Sequence, residues 1–144
     1  MTVRAPWDNE LEDVYRLLFH IPALDEMPTF DRMKECIAAG RFPKMRVAVD
    51  KGEVVGMAMF SISYSFTGDG EVFLYAVSVK PERRRQGVGT ALIKAVQQEA
   101  FKVNAPMILL IVHNENADAF SFYRTFGFSE AGGEFKQIAI PVEI

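Results

Sequence analysis

Residues 77–92 read Val77-Ser78-Val79-Lys80-Pro81-Glu82-Arg83-Arg84-Arg85-Gln86-Gly87-Val88-Gly89-Thr90-Ala91-Leu92. An apolar, strand-like run ends at Pro81, a basic turn follows, and Gly87 and Gly89 stand where a helix begins. The first turn of a helix has backbone N–H groups without partners and a partial positive charge. Glycines there let a phosphate approach the backbone closely. This stretch therefore predicts a strand–turn–helix unit whose helix start fits a pyrophosphate.

Two other phosphate-binding loops do not match this stretch. A Walker loop needs Gly-Lys followed by Ser or Thr, which the sequence lacks, and Leu92 occupies the place of the third glycine of a dinucleotide fingerprint. The simplest alternative is a helix start with incidental glycines and a solvated basic turn. The position between a buried strand and an amphipathic helix favours the phosphate interpretation.

Outward from this unit, the sequence predicts helices and strands in a definite order. Apolar spacing predicts a first helix over 9–19, with Asp8 as its cap, and a second helix from the cap Thr29 to the stop Gly40. The expected strands cover 46–49, 54–65, 71–79, 107–112 and 137–144, and two further helices cover 86–101 and 117–126. Two runs, 71–79 and 107–112, are apolar enough to predict buried strands. This order indicates an α/β (or α+β) domain with a mixed sheet, in which a right-handed crossover joins two parallel strands.

Length and composition limit the classes of protein that the chain can belong to. The 144 residues fit one domain over 1–144, and the net charge of −3 gives no general attraction to nucleic acid. The single cysteine, Cys36, and the two histidines argue against a disulfide framework and a structural metal site. Without an apolar run of membrane-spanning length or a signal peptide at the start of the sequence, we expect a cytoplasmic protein that binds no membrane.

Two motifs resemble those of one enzyme superfamily. The run Val77-x-Val79-x-Pro81-x-x-Arg84-x-x-Gly87-x-Gly89 is similar to the acyl-CoA-binding motif of the GNAT N-acetyltransferases. Downstream, Asn116-x-x-Ala119-x-x-Phe122-Tyr123-x-x-x-Gly127-Phe128 resembles the closing motif of the same superfamily. Both motifs occur in the right order at a suitable separation. The hairpin strands expected before them and the last strand expected after them also agree with the superfamily, so the resemblance covers nearly the whole chain.

The resemblance implies a fold and a co-substrate. The expected fold is a mixed, mostly antiparallel twisted sheet with helices on both faces and two parallel central strands that splay apart around acetyl-CoA. On this interpretation, backbone groups of Val77 and Val79 and the side chain of Asn116 contact the pantetheine arm. The pyrophosphate is held by Arg84, Arg85, Gln86, Gly87, Val88, Gly89 and Thr90.

The resemblance also implies direct attack of an amine on the thioester, with Tyr123 as the proton donor to the thiolate. The position that often carries a carboxylate base is Phe73 in this chain, which cannot accept a proton. Glu71 lies two residues earlier and shares a face with Phe73 and Tyr75, so it is the candidate base. Tyr75 is a candidate for shaping the acceptor site, and His113 is a weaker candidate base.

Three interpretations of function remain open at this point. The first is an acetyl-CoA-dependent N-acetyltransferase that acts on a primary amine, and the second is a catalytically weak acyl-CoA-binding or sensing domain, which the lack of a carboxylate at Phe73 keeps open. The third is a structural or nucleic-acid-binding α/β domain. The acceptor cannot be identified from the sequence, and a homodimer is the expected oligomer because dimers are the commonest assemblies.

Overall fold

The structure is a computed structural model, and it describes residues 1–19, 27–110 and 117–129. Its strands are β1 (Thr2–Arg4), β2 (Lys44–Asp50), β3 (Glu53–Tyr64), β4 (Gly70–Val79) and β5 (Ile108–Leu110). Its helices are α1 (Leu11–Leu18), α2 (Phe30–Ala38), α3 (Val88–Lys102) and α4 (Ala117–Arg124). The strand predicted over 137–144 lies outside the described residues.

The five strands form one sheet in the order β1-β2-β3-β4-β5. Strands β1 to β4 pair antiparallel, and β4 pairs with β5 in parallel. The parallel contact joins Val72, Phe73 and Leu74 to Ile108, Leu109 and Leu110. The prediction of a mixed sheet with a parallel pair after a helical crossover is therefore confirmed.

Helices pack on both faces of the sheet, as predicted. On one face, α1 and α2 share a core with β2 and β3 that includes Val14, Met33 and Met57. On the other face, α3 packs so closely that a Cβ at Gly56 would lie 2.9 Å from Val88 Cγ1 and 3.1 Å from Leu92 Cδ1. Because Gly56 and Met57 are adjacent on β3, the Cβ direction at Gly56 and the side chain of Met57 point to opposite faces of the sheet. The glycine lets the start of α3 approach the sheet.

A bulge interrupts the pairing of β3 and β4. Met59 lies opposite Ala76, whereas the next residue, Phe60, lies opposite Leu74, so Tyr75 is the extra residue on β4. A bulge bends the strand and changes where its side chains point. Beyond this point, Ala76 and Ser78 lie opposite the methionines that face α1, and Ser78 Oγ donates a hydrogen bond to the Leu17 carbonyl at 2.9 Å.

The burial predicted for β4 and β5 is only partly correct. β4 is an interior strand between β3 and β5, but Glu71 and Tyr75 are exposed. In β5, Leu109 is 44% exposed. Apolar composition does not distinguish a side chain under a helix from one on an open face of a sheet, because both occur on interior strands.

Local sequence sets the two ends of α2, whereas the starts of α1 and α3 differ from the prediction and α4 ends two residues early, at Arg124. Thr29 caps α2 as predicted, since its Oγ1 accepts a hydrogen bond from Arg32 N at 3.1 Å, and Gly40 follows the helix with a φ of +69°. Asp8 does not cap α1. It begins a short 3₁₀ turn over Asp8–Glu10 in which Glu10 accepts a hydrogen bond from Trp7 N at 2.8 Å. The start of α3 also differs, because the helix was predicted to begin at Gln86 and begins at Val88, after Gly87.

The chain divides into two compact units, residues 1–111 and 112–144. The first unit contains the sheet and helices α1 to α3. In the second, α4 is followed by Gly127, whose φ is +86°, and Tyr123 and Phe128 are in edge-to-face contact at 5.5 Å between ring centroids. The single domain expected over 1–144 stays a prediction. In the described part of the chain, no helix is long and apolar enough to cross a membrane.

Candidate active site

The start of α3 presents backbone donors. Gly87 precedes the helix with a φ of +82°, and its carbonyl accepts the first helical hydrogen bond, from Ala91 N at 3.0 Å. No described residue accepts a hydrogen bond from the N–H groups of Val88, Gly89 or Thr90. These three groups are the unpaired donors of a helix N-terminus, which bind anions.

Gly87 is required by its backbone conformation and not by a close neighbour. A Cβ at Gly87 would meet nothing within 4 Å, but a φ of +82° lies in the left-handed region that favours glycine. The same open space leaves room for a ligand against the backbone. Because the side chain of Val88 is buried, only its backbone can contact such a ligand.

The three arginines before Gly87 have different environments. Arg83 is half-buried and forms an ion pair with Asp50 at 2.6 Å between Nη2 and Oδ2. Arg84 and Arg85 are exposed, and no carboxylate of the described chain lies within 4.0 Å of either guanidinium. Two of the three positive charges are therefore free to face an anion, and the third is paired with the sheet.

Among the described residues, the carboxyl-terminal part of β4 pairs with a strand on one side only. Val77 and Val79 lie opposite Ala58 and Gly56 of β3. On the other side, the described pairing with β5 ends at Leu74, so no described strand pairs with that edge at Val77 and Val79. Their backbone groups on this side can hydrogen-bond to an extended ligand, as predicted for a pantetheine arm.

A polar and aromatic surface covers the amino-terminal part of β4. Ser63 Oγ donates to a Glu71 carboxylate oxygen at 3.4 Å, and Ser61 Oγ donates to Tyr75 Oη at 3.3 Å. The rings of Phe73 and Tyr75 are 4.9 Å apart between centroids. The prediction that Glu71, Phe73 and Tyr75 share a face is confirmed, and we call these five residues the β4 face.

The carboxylate of Glu71 is available for chemistry. It is exposed, and no cationic side chain of the described residues lies within 4.0 Å of it. Tyr75 is 48% exposed beside it. An exposed carboxylate next to two aromatic rings can accept a proton from a cationic amine or pair with its charge.

Tyr123 has the opposite environment. Its ring is half-buried in the second unit and contacts Phe122 and Phe128. Burial raises the pKa of Tyr123 to about 12. The phenol is therefore neutral over the whole physiological range and carries the proton that a general acid must donate.

Some predicted residues cannot be placed, and one structural residue was missed. Asn116 and His113 lie outside the described residues, and in the described ranges no cluster of three or more His, Cys, Asp or Glu side chains is arranged to hold a metal ion. The role of Asp50 as the partner of Arg83 was not predicted. A turn aspartate gives no signal in the sequence for a partner 33 positions away.

Comparison with known proteins agrees with both motifs. The sequence model of the Acetyltransferase (GNAT) family matches residues 7–128. The chain is 34% identical over 74 residues to thialysine N-epsilon-acetyltransferase of Bos taurus, covering 51% of this chain and 44% of that protein. It is 35% identical over 75 residues to the ribosomal protein bS18-alanine N-acetyltransferase of Escherichia coli K12, covering 52% of this chain and 49% of the relative. The chain thus spans about half the length of these relatives.

The fold is similar to that of solved acetyltransferase structures. Arabidopsis thaliana Naa50, solved in complex with the bisubstrate analogue CoA-Ac-MVNAL, superposes with a TM-score of 0.70 and 23% sequence identity. The alignment covers 89% of this chain and 82% of the Naa50 chain. This likeness concerns the fold, whereas the family model covers most of the sequence. The chain belongs to the GNAT family of acetyltransferases.

Proposed function

We propose that the protein transfers an acetyl group from acetyl-CoA to a primary amine by direct attack of the amine on the thioester. The observation that carries this proposal is the start of α3, which bears the family's motif and where three N–H groups and two arginines have no partner among the described residues. This arrangement is suited to a pyrophosphate, since both backbone dipoles and fixed charges favour an anion there.

The co-substrate contacts follow from this arrangement. Arg84 and Arg85 supply charge to the pyrophosphate, and the backbone from Gln86 to Thr90 supplies N–H donors. The edge of β4 that pairs with no described strand at Val77 and Val79 offers backbone hydrogen bonds to the pantetheine arm. We assign Asn116 to the same arm on the strength of the family motif.

The proposed reaction forms one bond and breaks one bond. The amine nitrogen attacks the carbonyl carbon, the new C–N bond forms, and the C–S bond of the thioester breaks. One N–H proton leaves the amine, and the departing thiolate accepts one proton. An acceptor that arrives as an ammonium ion loses a further proton before it can attack.

We assign proton donation to Tyr123. A donor must be protonated at working pH, and a pKa of about 12 keeps the phenol neutral. A thiolate is a good leaving group, so the acid accelerates the reaction without being indispensable. We therefore place the contribution of Tyr123 at the lower end of the general-acid range, roughly 100-fold in kcat.

We assign proton removal from the acceptor to Glu71. Phe73 stands where relatives often carry a carboxylate, and Glu71 is the carboxylate on the same face. Its exposure lets it exchange protons with water, and the nearby rings of Phe73 and Tyr75 can contact the carbon stem of a cationic acceptor. The names of the two relatives give thialysine and an alanine of ribosomal protein bS18 as acceptors, and in both names the acetyl group goes to nitrogen.

The decisive experiment measures binding and turnover separately. Calorimetry gives the Kd of acetyl-CoA, and release of CoA is then followed with a panel of primary amines that includes lysine analogues and peptides with free N-termini. We expect acetyl-CoA to bind and at least one amine to be acetylated. Binding without turnover of any amine would favour the sensing-domain alternative, and absence of binding would refute the co-substrate assignment.

A further inference from the structure

We propose that Asp50 is a positioning residue that holds the loop before α3 in the conformation that binds the pyrophosphate. The inference rests on the proposed function, because it concerns the affinity for acetyl-CoA. Asp50 ends β2, far in sequence from the motif. The contact passes through Arg83.

A chain of hydrogen bonds joins Asp50 to the residue that precedes Gly87. Arg83 Nη2 donates to Asp50 Oδ2 at 2.6 Å, and Arg83 Nε donates to Gln86 Oε1 at 3.0 Å. Gln86 Nε2 donates in turn to the Glu82 carbonyl at 3.2 Å. Arg83 thus donates to the end of β2 through Nη2 and to the loop through Nε.

The loop needs contacts that restrain it because part of its backbone is left-handed. Arg85 has a φ of +62°, and Gly87 has a φ of +82°, so two of three consecutive residues around Gln86 are left-handed. A non-glycine residue in this region is strained. Without the contacts of Gln86, the loop would sample other conformations, and ligand binding would have to select the one observed.

The environment of Asp50 stabilises its ion pair with Arg83. Both partners are half-buried, each with 25% side-chain exposure. The neighbouring guanidinium of Arg83 holds the pKa of Asp50 below its ordinary value. The N-terminal ammonium lies 4.0 Å from Asp50 Oδ1 and is a second, weaker cationic neighbour.

An argument from charge alone predicts that loss of the Asp50 carboxylate strengthens the binding of acetyl-CoA. The direction of the change in affinity therefore tests the inference. Removing a negative charge near a phosphate site should strengthen phosphate binding, and it would also free Arg83 to contact the ligand. If Asp50 instead positions the loop, Asp50→Asn weakens the binding of acetyl-CoA. The direction of the change separates the two explanations.

The chain offers a matched control at the other end of the turn between β2 and β3. Glu53 begins β3 and pairs with Lys80, just before the basic turn, but the side chains of this pair form no hydrogen bond with Arg83 or Gln86. Glu53→Gln therefore removes a strand-end ion pair and the same unit of charge while leaving the hydrogen bond between Arg83 and Gln86 in place. Thermal unfolding of both variants reports their loss of stability.

The test measures the Kd of acetyl-CoA by calorimetry for the wild type, Asp50→Asn, Glu53→Gln and Asp50→Glu. We expect Asp50→Asn to raise the Kd roughly three- to tenfold, Glu53→Gln to stay within about twofold, and Asp50→Glu to recover part of the loss. In steady-state assays at saturating acetyl-CoA, kcat and the KM for the amine should not change. An unchanged or lower Kd for Asp50→Asn, or an equal rise for Glu53→Gln, overturns the proposal.

A double-mutant cycle covers the case in which Asp50→Asn folds poorly. If the two residues act as one unit, Arg83→Gln and the double variant Asp50→Asn/Arg83→Gln should weaken acetyl-CoA binding to the same extent. Losses that simply add would show that Arg83 acts on the ligand independently and would overturn the positioning role. A wild type that does not bind acetyl-CoA would refute the proposed function instead, so the two failures are distinguishable.

Discussion

The start of α3 and the β4 face differ in what they offer a ligand. At the start of α3, the ligand-binding groups are mostly backbone N–H donors, and two left-handed residues and the Asp50–Arg83 ion pair fix their directions. On the β4 face, the functional groups are side chains, Glu71 and two aromatic rings, on a strand whose backbone is already paired. A backbone site depends on conformation, whereas a side-chain site depends on residue identity.

This difference has a consequence for substitution. Most side chains around a backbone site can change without loss as long as the chain keeps its path. On a side-chain face, a single substitution can change the chemistry while the fold stays intact. Acetyl-CoA binding should therefore be sensitive to changes that alter φ angles, and amine chemistry to changes that alter functional groups.

The largest effect should come from a side chain. Tyr123→Phe keeps the ring and its contacts with Phe122 and Phe128 but removes the proton and the hydroxyl. We expect kcat to fall roughly 100-fold while the Kd of acetyl-CoA changes little, since a positioned general acid acts in the transition state. Steady-state and single-turnover kinetics on the best acceptor would measure this. Full kcat in a variant whose chemical step is rate-limiting would make Tyr123 a packing residue.

Among substitutions at the start of α3, a change at Gly87 should have the largest effect on acetyl-CoA binding. In Gly87→Ala, the new side chain meets no neighbour, but the φ of +82° becomes strained and the methyl enters the space proposed for the ligand. We expect the Kd of acetyl-CoA to rise roughly tenfold or more. Calorimetry would measure the affinity, and thermal unfolding would measure the cost in stability.

Gly40 provides the control for this substitution. It also has a left-handed φ, +69°, and open space around it, but it follows α2. Gly40→Ala should lose a similar amount of stability, about 1 kcal/mol, and keep its affinity for acetyl-CoA. If the two variants bound acetyl-CoA equally well, the pyrophosphate would not lie against Gly87.

A smaller effect is expected at Glu71. Glu71→Gln keeps the size of the side chain but cannot accept the proton, so kcat/KM for the amine should fall roughly tenfold at a pH well below the amine's own pKa. The loss should shrink as pH rises, because the acceptor then arrives already deprotonated. Ser63→Ala removes the hydrogen bond to Glu71 but leaves its carboxylate, and it should retain most of the activity. A pH–rate profile of Glu71→Gln that parallels the wild type would exclude Glu71 as the base.

The smallest effect concerns stability at alkaline pH. The pKa of Tyr123 is raised to about 12 by burial, above the value of about 10 for an unfolded chain. Its contribution to the free energy of unfolding is complete below about pH 10 and is lost as pH rises towards 12, because the unfolded state then releases the proton more readily. Urea denaturation at about pH 9 and pH 11 should show a steeper loss for the wild type than for Tyr123→Phe. Equal losses would mean that the phenol is not buried in solution.

Much of the fold could be predicted because its signals are local. The break between the strands predicted at 46–49 and 54–65, the Thr29 cap, the position of α4 and the strand–turn–helix unit all depend on residues adjacent in sequence. The errors came where a neighbour in space changed the outcome. Glu10 rather than Asp8 organises the start of α1 because it also pairs with Arg4, at 2.7 Å.

The sequence by itself determined where the site's backbone donors lie, since glycines before a helix and arginines in a turn act through their own conformation and charge. Only the tertiary structure decided which arginine is paired and which face of β4 is open. The Asp50–Arg83 ion pair spans 33 positions, and the bulge at Tyr75 depends on the register between β3 and β4. Both follow from packing between segments that are distant in sequence, which residue preferences along the chain do not encode.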